Sequence, residues 1–190
     1  MDVNLKMPRG FENVKEEKMK KLMFKATIII SLLALVLSCS GQANQLARNK
    51  AIVVQANDAI NAQDFDKIRE VYTKNFVRHC QATPDAEVND LEAFISLVKE
   101  WWTSFPDAKQ TIHLLAAEDD LVAFSVSFAG TQEGPMGVFP ATGKKMTSEC
   151  YGFHRVEDGK IAETWVTWDN LAALQQLGLF PAQKVEKTAE

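Results

Sequence analysis

Between Val122 and Asp169, apolar and polar positions follow a pattern that predicts three strands joined by two turns. Val122, Phe124, Val126 and Phe128 alternate with Ala123, Ser125 and Ser127, the period-2 signature of a strand with one buried face. Gly130 and Gly134 break the alternation, and Phe139-Pro140-Ala141-Thr142-Gly143-Lys144 marks a loop. A second strand is predicted over Lys145 to Val156. Asp158-Gly159 then gives a two-residue hairpin signal, because such a turn needs positive φ. Ile161 to Trp168 returns as the third strand. It carries Ala162, Thr164, Val166 and Trp168 on one side and Ile161, Glu163, Trp165, Thr167 and Asp169 on the other. A curled meander with acids and aromatics sharing a face can line a pocket.

Upstream the spacing becomes helical. From Leu46 to Ala62 the apolar positions Ile52, Val53, Ala56, Ala59 and Ile60 define one face of a helix. Asp64 can cap a second, short helix through Phe65, Ile68 and Val71. Tyr72 to Cys80 reads as extended, with Phe76 and Arg78 on one side and Val77 and His79 on the other. Asp90 is the expected N-cap of a helix from Leu91 to Ser104, ended by Phe105-Pro106-Asp107. A strand over 108–117 follows, and Glu118-Asp119-Asp120 turns the chain into the meander. Leu171 to Leu177 forms a last short helix stopped by Gly178. Helices first and a curved antiparallel sheet afterwards describe an α+β architecture, with the helices covering one sheet face.

The front of the chain has a different character. Lys18, Lys20, Lys21 and Lys25 precede a charge-free apolar run of 12 residues, Ala26 to Leu37, which is short for a bilayer span and suits the apolar part of an export signal. Ser38-Cys39 follows and resembles a bacterial lipoprotein junction, where the cysteine carries the lipid after cleavage. The alternative is an ordinary cleaved signal with an incidental Cys39, and a start at Met19 would be more compact. The expected plan is a signal over 1–38, a polar tether over 39–45, one domain over 46–182 and a loose tail over 183–190. The expected location is outside the cytoplasm, tethered to a membrane.

Removing the signal changes the charge. Residues 1–38 hold seven Lys or Arg and four Asp or Glu, a charge of +3, so the whole-chain value of −4 becomes −7. A net-negative body argues against nucleic acid as partner and leaves any membrane attachment to the lipid. Cys80 and Cys150 remain, either bridged or as two buried thiols. No CxxC pair and no His/Cys cluster with metal spacing occurs, so no metal site is expected.

Several segments, taken in order, resemble one family. They are Phe105-Pro106-Asp107, Ala117-Glu118-Asp119-Asp120-Leu121-Val122-Ala123, Gly130-Thr131-Gln132-Glu133-Gly134, and Pro140-Ala141-Thr142-Gly143-Lys144. Arg155-Val156-Glu157-Asp158-Gly159-Lys160-Ile161-Ala162-Glu163-Thr164-Trp165, Asp169 and Gln176-Leu177-Gly178 continue the series. Their order and spacing from about Ala47 to Gly178 are similar to the SnoaL-like polyketide cyclases, also called ester cyclases. The resemblance implies an NTF2-like fold, a cone of bent antiparallel sheet closed by helices around a deep pocket. It also implies ring closure by aldol condensation through an acid/base residue, with no cofactor. The same fold hosts isomerases, dehydratases, epoxide hydrolases and plain binding modules. This chain departs from the family pattern in three places. Gln132 stands where a histidine is common, Gly152 where an aspartate often precedes Arg155, and His79-Cys80 where a His-Asp pair is usual.

Proton abstraction beside a carbonyl needs a carboxylate or imidazole in a partly dry pocket. His79, Glu149 and Asp169 are the candidate catalytic groups. Each has a plainer reading: a hydrogen-bonded strand histidine, a cross-strand polar ladder with Tyr151 and Arg155, and the N-cap of the helix from Asn170. Glu163 is read as facing solvent or a lysine, and His113 and His154 as structural or exposed. The expected ligand-lining set is Trp101, Phe105, Phe128, Gln132, Phe139, Tyr151 and Trp165. Met136, Val138 and Phe139 suit either a lid or a homodimer contact. The expected partner is a small, mostly apolar molecule, either bound only or acted on by acid/base chemistry.

Overall fold

Three aspartates and two hairpin residues set much of the framework in the computed structural model, which describes residues 9–84 and 86–180. The side chains of 9–16, 26 and 28–40, Cys39 among them, and the tail from 181 lie outside the described residues. The chain divides into two compact units, Met1–Asn44 and Gln45–Glu190. In the first, helix α1 (Arg9–Asn61) begins, and its described Met19, Leu22, Met23 and Phe24 are exposed. The expected tether over 39–45 is helical. Among the described residues no helix is long and apolar enough to cross a membrane.

In the second unit, α1 continues to Asn61 and is followed by α2 (Phe65–Val71) and β1 (Tyr72–Cys80). Helix α3 (Leu91–Ser104) leads into the strands β2 (Lys109–Glu118), β3 (Leu121–Thr131), β4 (Lys145–Glu157) and β5 (Lys160–Trp168), and α4 (Asn170–Leu177) closes the unit. Asp64, Asp90 and Asp169 each accept the backbone N–H three residues on, capping α2, α3 and α4 at 2.9, 2.8 and 2.9 Å. Asp158 and Gly159 take φ of +48° and +75°, the paired positive values that a tight β4–β5 hairpin needs.

The five strands lie in the order β1-β5-β4-β3-β2, antiparallel except for the β1–β5 pair. Register shifts interrupt β1 between Tyr72 and Val77, β2 between Ile112 and Leu114, and the β4–β5 pair at Arg155/Val156. Such irregularities bend strands and curl a sheet. Against the concave face packs a core of Val53, Ala56, Ile60, Phe76, Phe94, Val98, Val122 and Ile161. Asparagines fix α1 to the far edge of the sheet. Asn49 donates to the Asp119 carbonyl at 3.0 Å, and the Asn61 amide both donates to and accepts from the Gln110 backbone at 2.8 Å. The second contact occupies backbone groups that an edge strand otherwise leaves open.

A smaller core of Phe105, Ala108, Met146, Ala173 and Leu177 lies under α4, with Trp102, Phe128 and Met136 against it. The loop between β3 and β4 is tied down by Gln132, which is fully buried. Its amide donates to the Pro140 carbonyl at 3.2 Å, accepts from Thr142 Oγ1 at 2.8 Å, and its backbone pairs with Gly143 and Lys144. Cys80 and Cys150 are free thiols on strands that flank β5. Two strand spacings, roughly 9–10 Å, exceed the roughly 7 Å that a disulfide can bridge.

Candidate functional site

Helices α1 and α3 and the concave sheet face border a half-open cavity of about 100 Å³. Val53, Ala56 and Ile60 of α1, Phe94 and Trp101 of α3, and Phe76, Phe124, Val126 and Trp168 of the sheet make most of its wall. A few residues with polar groups interrupt it: Asn57, Tyr72, Arg78, Gln110, Cys150, His154 and Thr164. Among the described residues none of those lining it is an acid. An apolar wall with few polar groups is what small-molecule sites look like.

Strand alternation decides which side chains reach the cavity. On β4 the inward set is Met146, Ser148, Cys150, Gly152, His154 and Val156, of which Cys150 and His154 line it. His154 sits half-buried, stacked on Phe124 with ring centroids 4.4 Å apart, and its Nδ1 meets Thr164 Oγ1 at 2.7 Å. Burial drives its pKa down from 6.5 to about 3, so the imidazole is neutral at neutral pH. The Cys150 thiol is pushed up to about 11, chiefly by burial and then by the Glu149 charge, and stays protonated.

Arg78 is the most unusual group in the cavity wall. It is only 6% exposed, and its two terminal nitrogens have no hydrogen-bond partner. Its Cζ lies 5.6 Å from the centre of the Trp101 ring and 5.7 Å from that of Trp168. Burial works against its charge, and a hydrogen bond toward the Cys80 sulfur works for it. No carboxylate among the described residues pairs with it. A desolvated cation–π contact is worth about 2 kcal/mol. Burying an ion costs several kcal/mol even after relaxation, so the rings offset only part of the penalty. Asn57 Oδ1 is likewise buried and unpartnered in the same wall.

The residues expected to form the site are mostly elsewhere. Of the ligand-lining set only Trp101 borders the cavity. His79, Glu149, Tyr151 and Trp165 stand on the opposite sheet face, because Arg78, Cys150 and Thr164 next to them point inward. There His79 Nε2 meets Glu163 Oε1 at 2.7 Å and stacks on Trp165 with centroids 5.2 Å apart. Arg155 donates to Glu163 at 3.2 Å and to Asp120 at 2.8 Å, joining three strand ends in one surface network. Glu163 therefore pairs with a histidine and an arginine rather than a lysine. Glu149 lies 3.8 Å from His113, whose Nε2 contacts Ser127 Oγ at 2.9 Å. Asp169 caps α4, Gln132 holds its loop, and Phe105 and Phe128 belong to the smaller core, ring to ring at 5.5 Å. Phe139 pairs with Met136 within the β3–β4 loop, whose Val138 is 91% exposed.

His154 and Arg78 are thus the groups that sequence reading passed over. A signal for His154 was present. Val156, directly before the hairpin, is buried, and counting back in twos from it puts His154, Gly152 and Cys150 inside.

A bent five-stranded sheet wrapped by helices around such a hollow defines the NTF2-like class of fold. Residues 51–177 match the model of the SnoaL-like polyketide cyclases, and the chain belongs to that family. Among solved structures it is similar to IdmH, a candidate polyketide cyclase from Streptomyces antibioticus. The two are 26% identical over 68% of this chain and 98% of that one, with a TM-score of 0.61. AclR, a candidate hydroxylase from Streptomyces galilaeus, is 27% identical over 74% of this chain and 87% of that one, with a TM-score of 0.63. A SnoaL-like protein from Jannaschia sp. CCS1, at 23% identity over 71% of this chain and 94% of that one, shares the fold with a TM-score of 0.64. No curated protein matches the chain.

Proposed function

We propose that this protein is a lipid-anchored, exported binder of a small, mostly apolar molecule held between α1, α3 and the concave sheet face. The observation that carries this is the wall itself, aromatic and aliphatic with a few inward polar groups and no acid. A neutral His154 with Thr164 behind it can accept or donate one oriented hydrogen bond to such a ligand. Cys39 would carry the lipid.

Cofactor-free acid/base turnover of the cyclase or isomerase type is the second reading, favoured by the His154–Thr164 contact. A base with a pKa near 3 is poorly matched to proton abstraction at neutral pH, so binding is the stronger reading.

A thermal-shift screen of toluene, indole and acetophenone on the full chain tests binding. Ligands that select the folded state raise the melting temperature, and Val126→Trp, which fills the cavity, abolishes the shift while the protein stays folded. Shifts that survive Val126→Trp would refute this location. Deuterium uptake at the acetophenone methyl group, lost in His154→Gln, would promote the catalytic reading over simple binding.

A further inference from the structure

Arg78 presents a buried charge that no carboxylate among the described residues balances. The residue is only 6% exposed, both terminal nitrogens are buried without a hydrogen-bond partner, and Trp101 and Trp168 flank it in the wall of the cavity. Buried polar groups are nearly always paired, and an orphan in a cavity wall signals a partner that arrives with the ligand. Asn57 Oδ1, unpartnered in the same wall, says the same of a second position.

We infer that the natural ligand of this cavity carries a carboxylate, which the Arg78 fork takes while the aromatic wall receives its ring. The inference rests on the proposed use of the cavity and names the class of molecule that enters it. A planar carboxylate suits a guanidinium because two parallel N–H···O bonds form at once. Phosphate suits it less. Among the described residues Arg78 is the only Lys or Arg that lines the cavity, so a phosphate's remaining charge and oxygens would be left without partners.

The remaining lining groups agree with this choice. Neutral His154 and the protonated Cys150 add no competing charge, and the absence of a lining acid leaves the arginine unsatisfied until a ligand comes. The outward acids Glu149 and Glu163 lie on the other face, occupied with His113, His79 and Arg155.

Calorimetric titration of the full chain in non-ionic detergent at pH 7, with benzoate, benzamide, toluene and inorganic phosphate, tests the assignment. Benzoate is expected to bind about ten-fold tighter than benzamide, as one charge-assisted bidentate contact allows. Arg78→Met should erase that preference, keep toluene binding, and leave the melting temperature unchanged or raised, since an unbalanced buried charge is removed. Arg78→Lys, which keeps the charge and loses the fork, should lose most of the preference. Toluene and benzamide binding with no gain for benzoate overturns the carboxylate while the cavity reading stands. Phosphate binding tighter than benzoate overturns it as well. A lowered melting temperature in Arg78→Met, with the benzoate preference intact in Arg78→Lys, gives the guanidinium a packing role and also overturns it. Binding of none of the four overturns both readings.

Discussion

His154 is the residue whose environment makes the sharpest statement about pH. Its pKa is about 3 in the folded protein against 6.5 for the unperturbed group, so the unfolded chain takes up a proton first as pH falls. Stability from this group is intact above about 6.5, and between there and about 3 it declines with acid by up to about 1.4 kcal/mol per pH unit. The Asp107 carboxyl is held down mainly by the Thr131 backbone N–H, and that of Glu92 mainly by Arg69, so what they stabilise is present at neutral pH and is lost only as pH falls below the ordinary carboxyl range. Urea midpoints measured from pH 7 to 5 should fall in the wild type and stay nearly level in His154→Gln. Parallel slopes would mean that water already solvates the imidazole. Neither Arg78 nor His154 stood out as a site residue in the sequence. An arginine on a strand usually reaches solvent, and only the fold reveals that this one does not. Asp169, by contrast, was legible in one of its two readings, because a helix N-cap needs only the local spacing from Asp169 to Ala172.

At the scale of elements, the sequence announced nearly every strand and helix of the second unit, with bounds shifted by a residue or two. Period-2 alternation and three capping aspartates are local signals, and local signals survive without tertiary information. Which sheet face is inside was harder to read. On β4 the large Tyr151 and Phe153 are half exposed, while the small Cys150 and Gly152 point inward, so bulk misled where parity from Val156 would not have. On β5 the irregularity at Arg155/Val156 lets Ile161 and Thr164 share the buried side, although they are three residues apart. Gly152 shows why bulk is excluded inside. A Cβ there would collide with the Trp165 carbonyl oxygen and lie 2.7 Å from Phe124 Cζ. Gly152→Ala should therefore destabilise the protein by about 1–3 kcal/mol through forced strand and ring shifts. Its urea midpoint would drop with an unchanged slope. An unaltered midpoint would show that β5 yields freely at this point. An aspartate at this place has no room here without such a shift.

For the whole molecule, the proposed membrane attachment raises the question of what would hold it there. The body after residue 38 carries −7, since the first 38 residues take +3 out of a total of −4. Such a body is repelled by anionic lipid, so electrostatics cannot keep it at a membrane. Acyl chains can, because each buried methylene contributes about 0.8 kcal/mol and a cysteine bearing several chains exceeds the marginal hold of one. Under the proposed lipid anchor, Ser38-Cys39 after a charge-free apolar run would supply the attachment point. In a Gram-negative host grown with labelled palmitate, the wild-type chain should label and sediment with membranes even in high salt. Cys39→Ser should neither label nor sediment, and its affinity for benzoate should be unchanged, because Cys39 precedes the unit that holds the cavity. A Cys39→Ser protein that still sediments in high salt would point to another anchor. One that loses benzoate binding would tie the N-terminal segment to the cavity in a way that the second unit alone does not predict.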